Sequence, residues 1–369
     1  MELLVNTVTA GFQHQPAVCT VDGEKFAVSW TDEGSIKARI FGTNEKPITD
    51  ELIVKQATPN QTSVLSAVAG KALGGFVAVW LDVPPGLEVG SLKARMFNAK
   101  GEATIPEITI TDTSALVASR PVVMSPLQNG GFAVAWASNN GDLLTQAFKA
   151  DGTSVATPTK VNGNDRVLRG LAGTALTMTG GLAVAWTTQV GVNKKQLRVQ
   201  TINPNGTLDG AAVIVDDKSV IIEGEVSISE EADGGFTVAW IAGAGQAGRV
   251  VRARRFDDKK APRSSSLFIT NADDDKNASH VAVRGVRPLG FATVWTEDTG
   301  DATAKTDINF RRVNADLVFS PKIRVNETTV ERQHSPALTA LLEHLAFAWV
   351  DASQRGDEGL GVRAKVLRA

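Results

Sequence analysis

Tryptophan occurs seven times in this chain, and every copy closes the same short phrase. Trp30, Trp80, Trp136, Trp186, Trp240, Trp295 and Trp349 are separated by 50, 56, 50, 54, 55 and 54 residues. The phrases read FAVSW (26–30), FVAVW (76–80), FAVAW (132–136), LAVAW (182–186), FTVAW (236–240), FATVW (291–295) and LAFAW (345–349). A period of this length marks a repeat architecture, whose units cannot bury their apolar faces alone and must stack. Within a phrase large residues alternate with small ones, as Phe132, Val134 and Trp136 do with Ala133 and Ala135. Period two is a strand, and small apolar residues on its second face mean that this face is closely packed too.

Three further strands accompany each phrase. Before it runs an inner strand such as PAVCTV (16–21), PVVMS (121–125) or PALTAL (336–341), joined in several copies by paired glycines suited to a tight turn. After it comes IKARIF (36–41), LKARMF (92–97), LLTQAF (143–148), LRVQTI (197–202), VRARRF (251–256), INFRRV (308–313) or VRAKVL (362–367). Turns such as Asp151-Gly152 and Asn205-Gly206 then lead to an outer strand, among them ELIV (51–54), EITIT (107–111) and KIRVN (322–326). Only six outer strands follow the seven others, and the missing one stands at the opposite end of the chain as ELLVNT (2–7).

Seven four-stranded units with one strand exchanged between the termini predict an all-β, seven-bladed β-propeller with four antiparallel strands per blade. The N-terminal strand closes the last blade in a 3+1 arrangement, which removes the open edges of a linear array. The whole of 1–369 reads as one domain, with blades at about 14–56, 64–111, 119–162, 169–216, 224–271, 279–326, and 334–367 plus 2–7. The combined pattern of GGF-x-V-x-W, a V-x-A-(Q/R)-x-F strand, an Asn/Asp-Gly turn and a V-N-T strand resembles the propeller-like repeats of large bacterial secreted and surface proteins. That resemblance covers Glu2 to Leu367 and implies the fold, with no shared catalytic residues to carry over. The chain departs from those repeats in having no tyrosine, with Lys37, Lys93, Leu144 and Arg252 on the second strand where they often place one.

Composition excludes more than it assigns. Lys plus Arg (38) nearly cancels Asp plus Glu (40), so the basic field needed for nucleic acid or an anionic membrane surface is missing. The single cysteine, Cys19, rules out an internal disulfide and a Cys-rich metal cluster. No basic leader or long apolar run opens the numbered chain, which reads as cytoplasmic, or as secreted if a signal peptide precedes the numbering. There is no membrane insertion to expect, and oligomeric state is not legible. G-x-S-x-G, P-loop, H-E-x-x-H and dinucleotide fingerprints are all absent.

Candidate site residues gather where the inner strands begin, at the mouth of the central channel. His14, His280 and His334 stand there in consecutive blades, at what read as equivalent positions, whereas His344 sits in a far-end turn. Gln15, Arg120, Arg169 and Glu225 fall at the same level, with Ser279 and Ser335. Three neutral imidazoles can hold a divalent metal such as Zn, Mn or Ca with an open position, Glu225 or Gln15 serving as a fourth ligand or base. Polar residues at strand starts also bond loop backbone, so both roles stay open here. The leading expectation is a binding module for a small molecule, carbohydrate or protein at the mouth. The alternative is a metal-assisted lyase or hydrolase using the histidine cluster.

Other repeated features read as scaffold. Arg39, Arg95, Gln146, Gln200, Arg254, Arg311 and Lys365 share one position on the seven second strands and are expected to tie neighbouring blades together. The indoles are expected between blades rather than exposed to stack sugars. Acidic residues after the tryptophans (Asp32, Glu33, Asp82, Glu297, Asp298, Asp301, Asp351, Asp357, Glu358) and Asp273 to Asp275 lack a calcium-loop pattern and read as solvated turns. Arg355-Gly356-Asp357 reads as a chance tripeptide.

Overall fold

A computed structural model of the chain describes residues 2–87, 89–117, 122–176, 180–191, 194–216, 221–243, 248–270, 277–303, 305–353 and 360–368. It contains seven antiparallel sheets of four strands each, arranged as a seven-bladed β-propeller. The first blade runs Gln13–Asp22, Lys25–Asp32, Ser35–Gly42 and Leu52–Lys55 from channel to rim. The sixth runs Ser279–Gly285, Gly290–Asp298, Thr306–Asn314 and Ile323–Arg324. Each inner strand packs on the next around the ring, and the seventh packs on the first. Among the described residues no helix is long and apolar enough to cross a membrane.

The last blade joins both termini. Gln333–Ala340, His344–Asp351 and Gly361–Arg368 are completed by Leu3–Leu4, with Leu3 opposite Ala364 and Leu4 opposite Arg363. Val5 N–H then donates to Val362 C=O (2.9 Å), and the Asn6 side chain accepts from Val362 N–H (2.9 Å). Asn162 and Asn326 do the same for Leu143 N–H (2.8 Å) and Ile308 N–H (2.7 Å) at the ends of their outer strands. The Val-Asn ending of these strands therefore satisfies a backbone donor where the ladder runs out.

Packing between blades explains the large-small alternation. Phe26, Val28 and Trp30 of the first blade bury against Ala346, Ala348 and Ala364 of the seventh, and Phe236, Val238 and Trp240 bury against Ala183 and Ala185. A bulky face thus meets a small one at the wedge-shaped joint between blades. Six indoles are 0% exposed and Trp136 is 3%, so none offers a face to a sugar. Phenylalanines at facing cross-strand positions stack, as Phe76 does on Phe97 with centroids 4.7 Å apart.

The paired glycines divide two tasks. Gly130 takes a φ of 81°, while a Cβ on Gly131 would meet the Phe148 carbonyl oxygen at 2.0 Å. The first supplies the turn and the second the close approach of two strands.

The repeated long polar side chain joins blades as expected. Arg39 donates to Val5 C=O (3.2 Å), Arg95 to Val54 (3.4 Å), Arg254 to Val215 (2.8 Å), Arg311 to Ile269 (2.6 Å) and Lys365 to Val325 (3.0 Å). Each acceptor is the end of the preceding blade's outer strand. Gln146 and Gln200, being shorter, bond their own blades at Ala156 and Gly210 instead.

Candidate ligand cleft at the channel mouth

The inner strands of blades one, six and seven enter through a β-bulge, where the register shifts between His14 and Ala17, Ser279 and Ala282, and His334 and Ala337. One residue in each bulge has left-handed backbone: Gln15 (φ 54°), His280 (52°) and Ser335 (54°). His14 and His334 pair with Thr31 and Val350, the residues that follow their tryptophans. In blade six that place belongs to Ser279, opposite Thr296, so His280 is displaced by one residue into the bulge. The three histidines are therefore not equivalent. The sequence spacing hid this because His280 and His334 both stand 15 residues before their tryptophans, and a hairpin one residue longer in blade six, between Gly285 and Phe291, offsets the difference.

The displacement has a chemical consequence. Blade six writes Ser-His where blade seven writes His-Ser, and the two imidazoles stand 6.1 Å apart between centroids with planes at 41°. Nδ1 of His334 lies 2.9 Å from the Ser335 hydroxyl, and Nδ1 of His280 lies 3.1 Å from that of Ser279. Two hydroxyl-supported imidazoles thus face one another across the joint of blades six and seven.

Other predicted site residues have different employment. Glu225 accepts from the His280 backbone N–H, strapping blade five to the bulge of blade six. Gln15 accepts from the Thr31 hydroxyl at 3.0 Å. Arg120 lies outside the described residues, and Arg169 lies in the strand Val167–Leu176 with its side chain outside them. Among the described residues no three His, Cys, Asp or Glu side chains are grouped so as to hold a metal ion, so the set of His14, His280 and His334 is not gathered into one ligand shell. Carboxylates after the tryptophans already have partners. Asp82 takes the Ser63 hydroxyl (2.6 Å) and Lys55 (3.5 Å), Asp32 takes Lys37 (2.6 Å), and Glu297 takes Lys322 (2.9 Å). Asp273 to Asp275, Arg355 to Asp357 and Glu358 lie outside the described residues.

Around the imidazole pair opens a cleft of about 840 Å³, walled by Asp298, Asp301 and Lys305 of the loop after Trp295 and by Arg332 at the entry to blade seven. Hydroxyls of Thr296, Thr306, Ser279 and Ser335 complete it. The loop is anchored, since Thr306 donates to Gln333 C=O (2.8 Å), Glu331 N–H donates to Thr303 C=O (2.8 Å), and Lys305 pairs with Glu331. Arg332 and Lys305 were not among the sequence candidates. Lys305 sits in a loop within blade six and Arg332 in the connection from blade six to blade seven, where no repeated strand exists to compare them with.

Burial, then the neighbouring His280 and Arg332, lower the His334 imidazole from its ordinary value to about 4. His14 is lowered too, by burial that outweighs the attraction of Glu33. Both rings are neutral at pH 7, with the Arg332 guanidinium beside His334. For His334 the folded value lies below the unfolded one, near 6.5, so between pH 6.5 and 4 the unfolded chain takes up the proton first and stability falls as pH falls. Solvent reaches the ring, which reduces the effect to about 1 kcal/mol. Melting curves from pH 7 to 4.5 are expected to fall less steeply for His334→Gln than for the parent. Parallel curves would contradict this assignment.

No protein-family model matches the chain, and no curated protein sequence matches it. Solved structures do. One is a protein of unknown function from Dyadobacter fermentans, 11% identical with a TM-score of 0.58 over 100% of this chain and 97% of that one. Another is the GH93 α-L-arabinofuranosidase of Fusarium graminearum, 12% identical with a TM-score of 0.54 over 100% and 96%. A third is the fucose-specific lectin of Aleuria aurantia, 12% identical with a TM-score of 0.50 over 87% and 99%. These likenesses show a shared fold.

Proposed function

We propose that this chain is a carbohydrate-binding propeller that takes its ligand at the mouth, in the cleft between blades six and seven. The observation that carries this reading is the imidazole pair set in a cleft whose named walls are hydroxyls, carboxylates and cations. The volume of about 840 Å³ suits a small-molecule site. A polyol presents donors and acceptors in close alternation, and imidazoles, serine and threonine hydroxyls and aspartates answer both kinds. Binding here would rest on directional hydrogen bonds, because the indoles are spent on packing. Structures named as a fucose-specific lectin and an arabinofuranosidase share the fold, which supports a saccharide over a protein partner.

The test is a glycan array followed by calorimetric titration of the best saccharide. His280→Ala and His334→Ala are each expected to weaken binding by about 10-fold, the scale of one or two lost hydrogen bonds. Melting temperature should barely move, since neither ring fills the blade core. An empty array, or full affinity in both variants, would overturn the assignment.

A further inference from the structure

At the opposite end of the channel, where the inner strands run into their hairpin turns, a second cavity of about 550 Å³ opens. Its chemistry comes from Cys19, Thr20 and Asp22 of blade one, Lys71 of blade two, Arg284 of blade six and Thr339 of blade seven. Its wall is tightly built. A Cβ on Gly70 would meet the Thr20 carbonyl oxygen at 1.8 Å, so blades one and two touch there through backbone.

Arg284 is held but not neutralised. Its Nε donates to Leu338 C=O at 3.0 Å, which fixes the guanidinium across the joint of blades six and seven. Among the described residues its terminal nitrogens make no hydrogen bond and no ion pair. Burial pushes the group below its ordinary value, opposed only by the Cys19 thiol. That thiol is itself pushed up to about 12 by burial, so it stays protonated at pH 7 and is no counter-ion. Lys71 is likewise lowered by burial, and its ammonium has no hydrogen bond or ion pair among the described residues.

The remaining polar groups of the cavity are satisfied. Asp22 is engaged by Lys25 Nζ (2.8 Å) and by the Glu24 backbone N–H (3.0 Å). Thr20 donates to Ala340 C=O (2.8 Å) and shares a hydrogen bond with the Thr339 hydroxyl (3.0 Å). Among the described residues none of these groups bonds the Arg284 fork or the Lys71 ammonium. Both cations are half-buried in the cavity wall, and a guanidinium fork matches a carboxylate or phosphate group through two parallel N–H bonds.

We propose that this vestibule binds a small oxyanion, a carboxylate or phosphate group, gripped by the terminal nitrogens of Arg284 with Lys71 as the second cation. The site is independent of the cleft at the mouth and faces the other side of the disc. Arg284 alone would be explained as a pin between blades, which its Nε bond already provides. The free fork and the second unpaired cation are what a pin does not need.

The experiment is a thermal-shift titration of the full chain with sodium phosphate and with sodium glucuronate, against sodium chloride at matched ionic strength. Either oxyanion is expected to raise the melting temperature by about 3 °C, saturating below about 20 mM, whereas salt exclusion from the surface rises without saturation. Saturation with phosphate alone identifies a phosphorylated ligand, and saturation with glucuronate alone a carboxylate. Arg284→Gln should abolish the response, Lys71→Gln should raise the half-saturating concentration at least about 5-fold, and His334→Ala should leave it unchanged. No saturable response to either oxyanion, or the same response in Arg284→Gln, would overturn the proposal. If Arg284→Gln does not fold, an unchanged half-saturating concentration in Lys71→Gln overturns it.

Discussion

Deletion of residues 2–7 is expected to destabilise the chain by about 5 kcal/mol, through a few net ladder bonds and one buried aliphatic side chain. The segment contributes the pairing of Leu3 and Leu4 with Ala364 and Arg363, the Val5 to Val362 bond and the Asn6 cap. Val5 is 0% exposed, and its carbonyl is the acceptor for Arg39 of the first blade. Glu2 accepts from Thr328 through both its backbone N–H (3.1 Å) and its hydroxyl (2.8 Å), reaching the end of blade six. Losing the strand therefore loosens blade seven and both of its joints, and it leaves Gly361–Arg368 as a bare edge. Urea unfolding followed by tryptophan fluorescence is the measurement. A truncated chain with an unchanged midpoint would refute the strand exchange as a source of stability.

Breaking the buried pair of Glu231 and Arg255 should cost about 3 kcal/mol, because removing one partner leaves the other charge uncompensated. Glu231 is 3% exposed and Arg255 is 6%. Nε and Nη2 of Arg255 both donate to the carboxylate, which also takes the Thr237 hydroxyl, and Nη1 reaches Ala315 C=O of blade six at 3.1 Å. Hydrogen bonding to Glu231 is the main reason that the guanidinium is raised above its ordinary value. Glu231→Gln is expected to destabilise nearly as much as Arg255→Met. The double variant Glu231→Leu with Arg255→Met should recover part of the loss, since replacing both charges leaves neither unpaired. Denaturant titrations of the four proteins decide it, and a loss within about 0.5 kcal/mol for Glu231→Gln would show the pair to be idle.

The scaffold could be read from the chain because its signals are local and repeated. A Phe-Val-Trp face opposite an alanine face states, within five residues, that both sides of a strand are covered. Arg39, Arg254 and their equivalents stated the blade joint, since only an arginine or lysine reaches the preceding blade and the glutamines at 146 and 200 fall short. The site was less legible. His280 and His334 read as neighbours from their place before the tryptophans, but the longer hairpin of blade six hides that they stand one position apart in their bulges. Glu225, which looked like a ligand, is consumed by a backbone N–H of the next blade. Arg284 carries no signal in the sequence, because one arginine on one inner strand matches no repeat and its setting is a property of the surrounding blades.

The sequence by itself determined the number of blades, the strand order within each, the exchange of the N-terminal strand and the burial of the indoles. These follow from periodicity and from which residues tolerate a tight turn, both carried by stretches of a few residues. Tertiary structure alone decided which polar side chains meet. His280 and His334 come together across a blade joint, and Arg284 shares a cavity with Lys71 from a blade elsewhere in the ring. Such meetings depend on the angle and offset at which separate sheets pack. That is set by the sum of all the contacts between blades and written in no single segment.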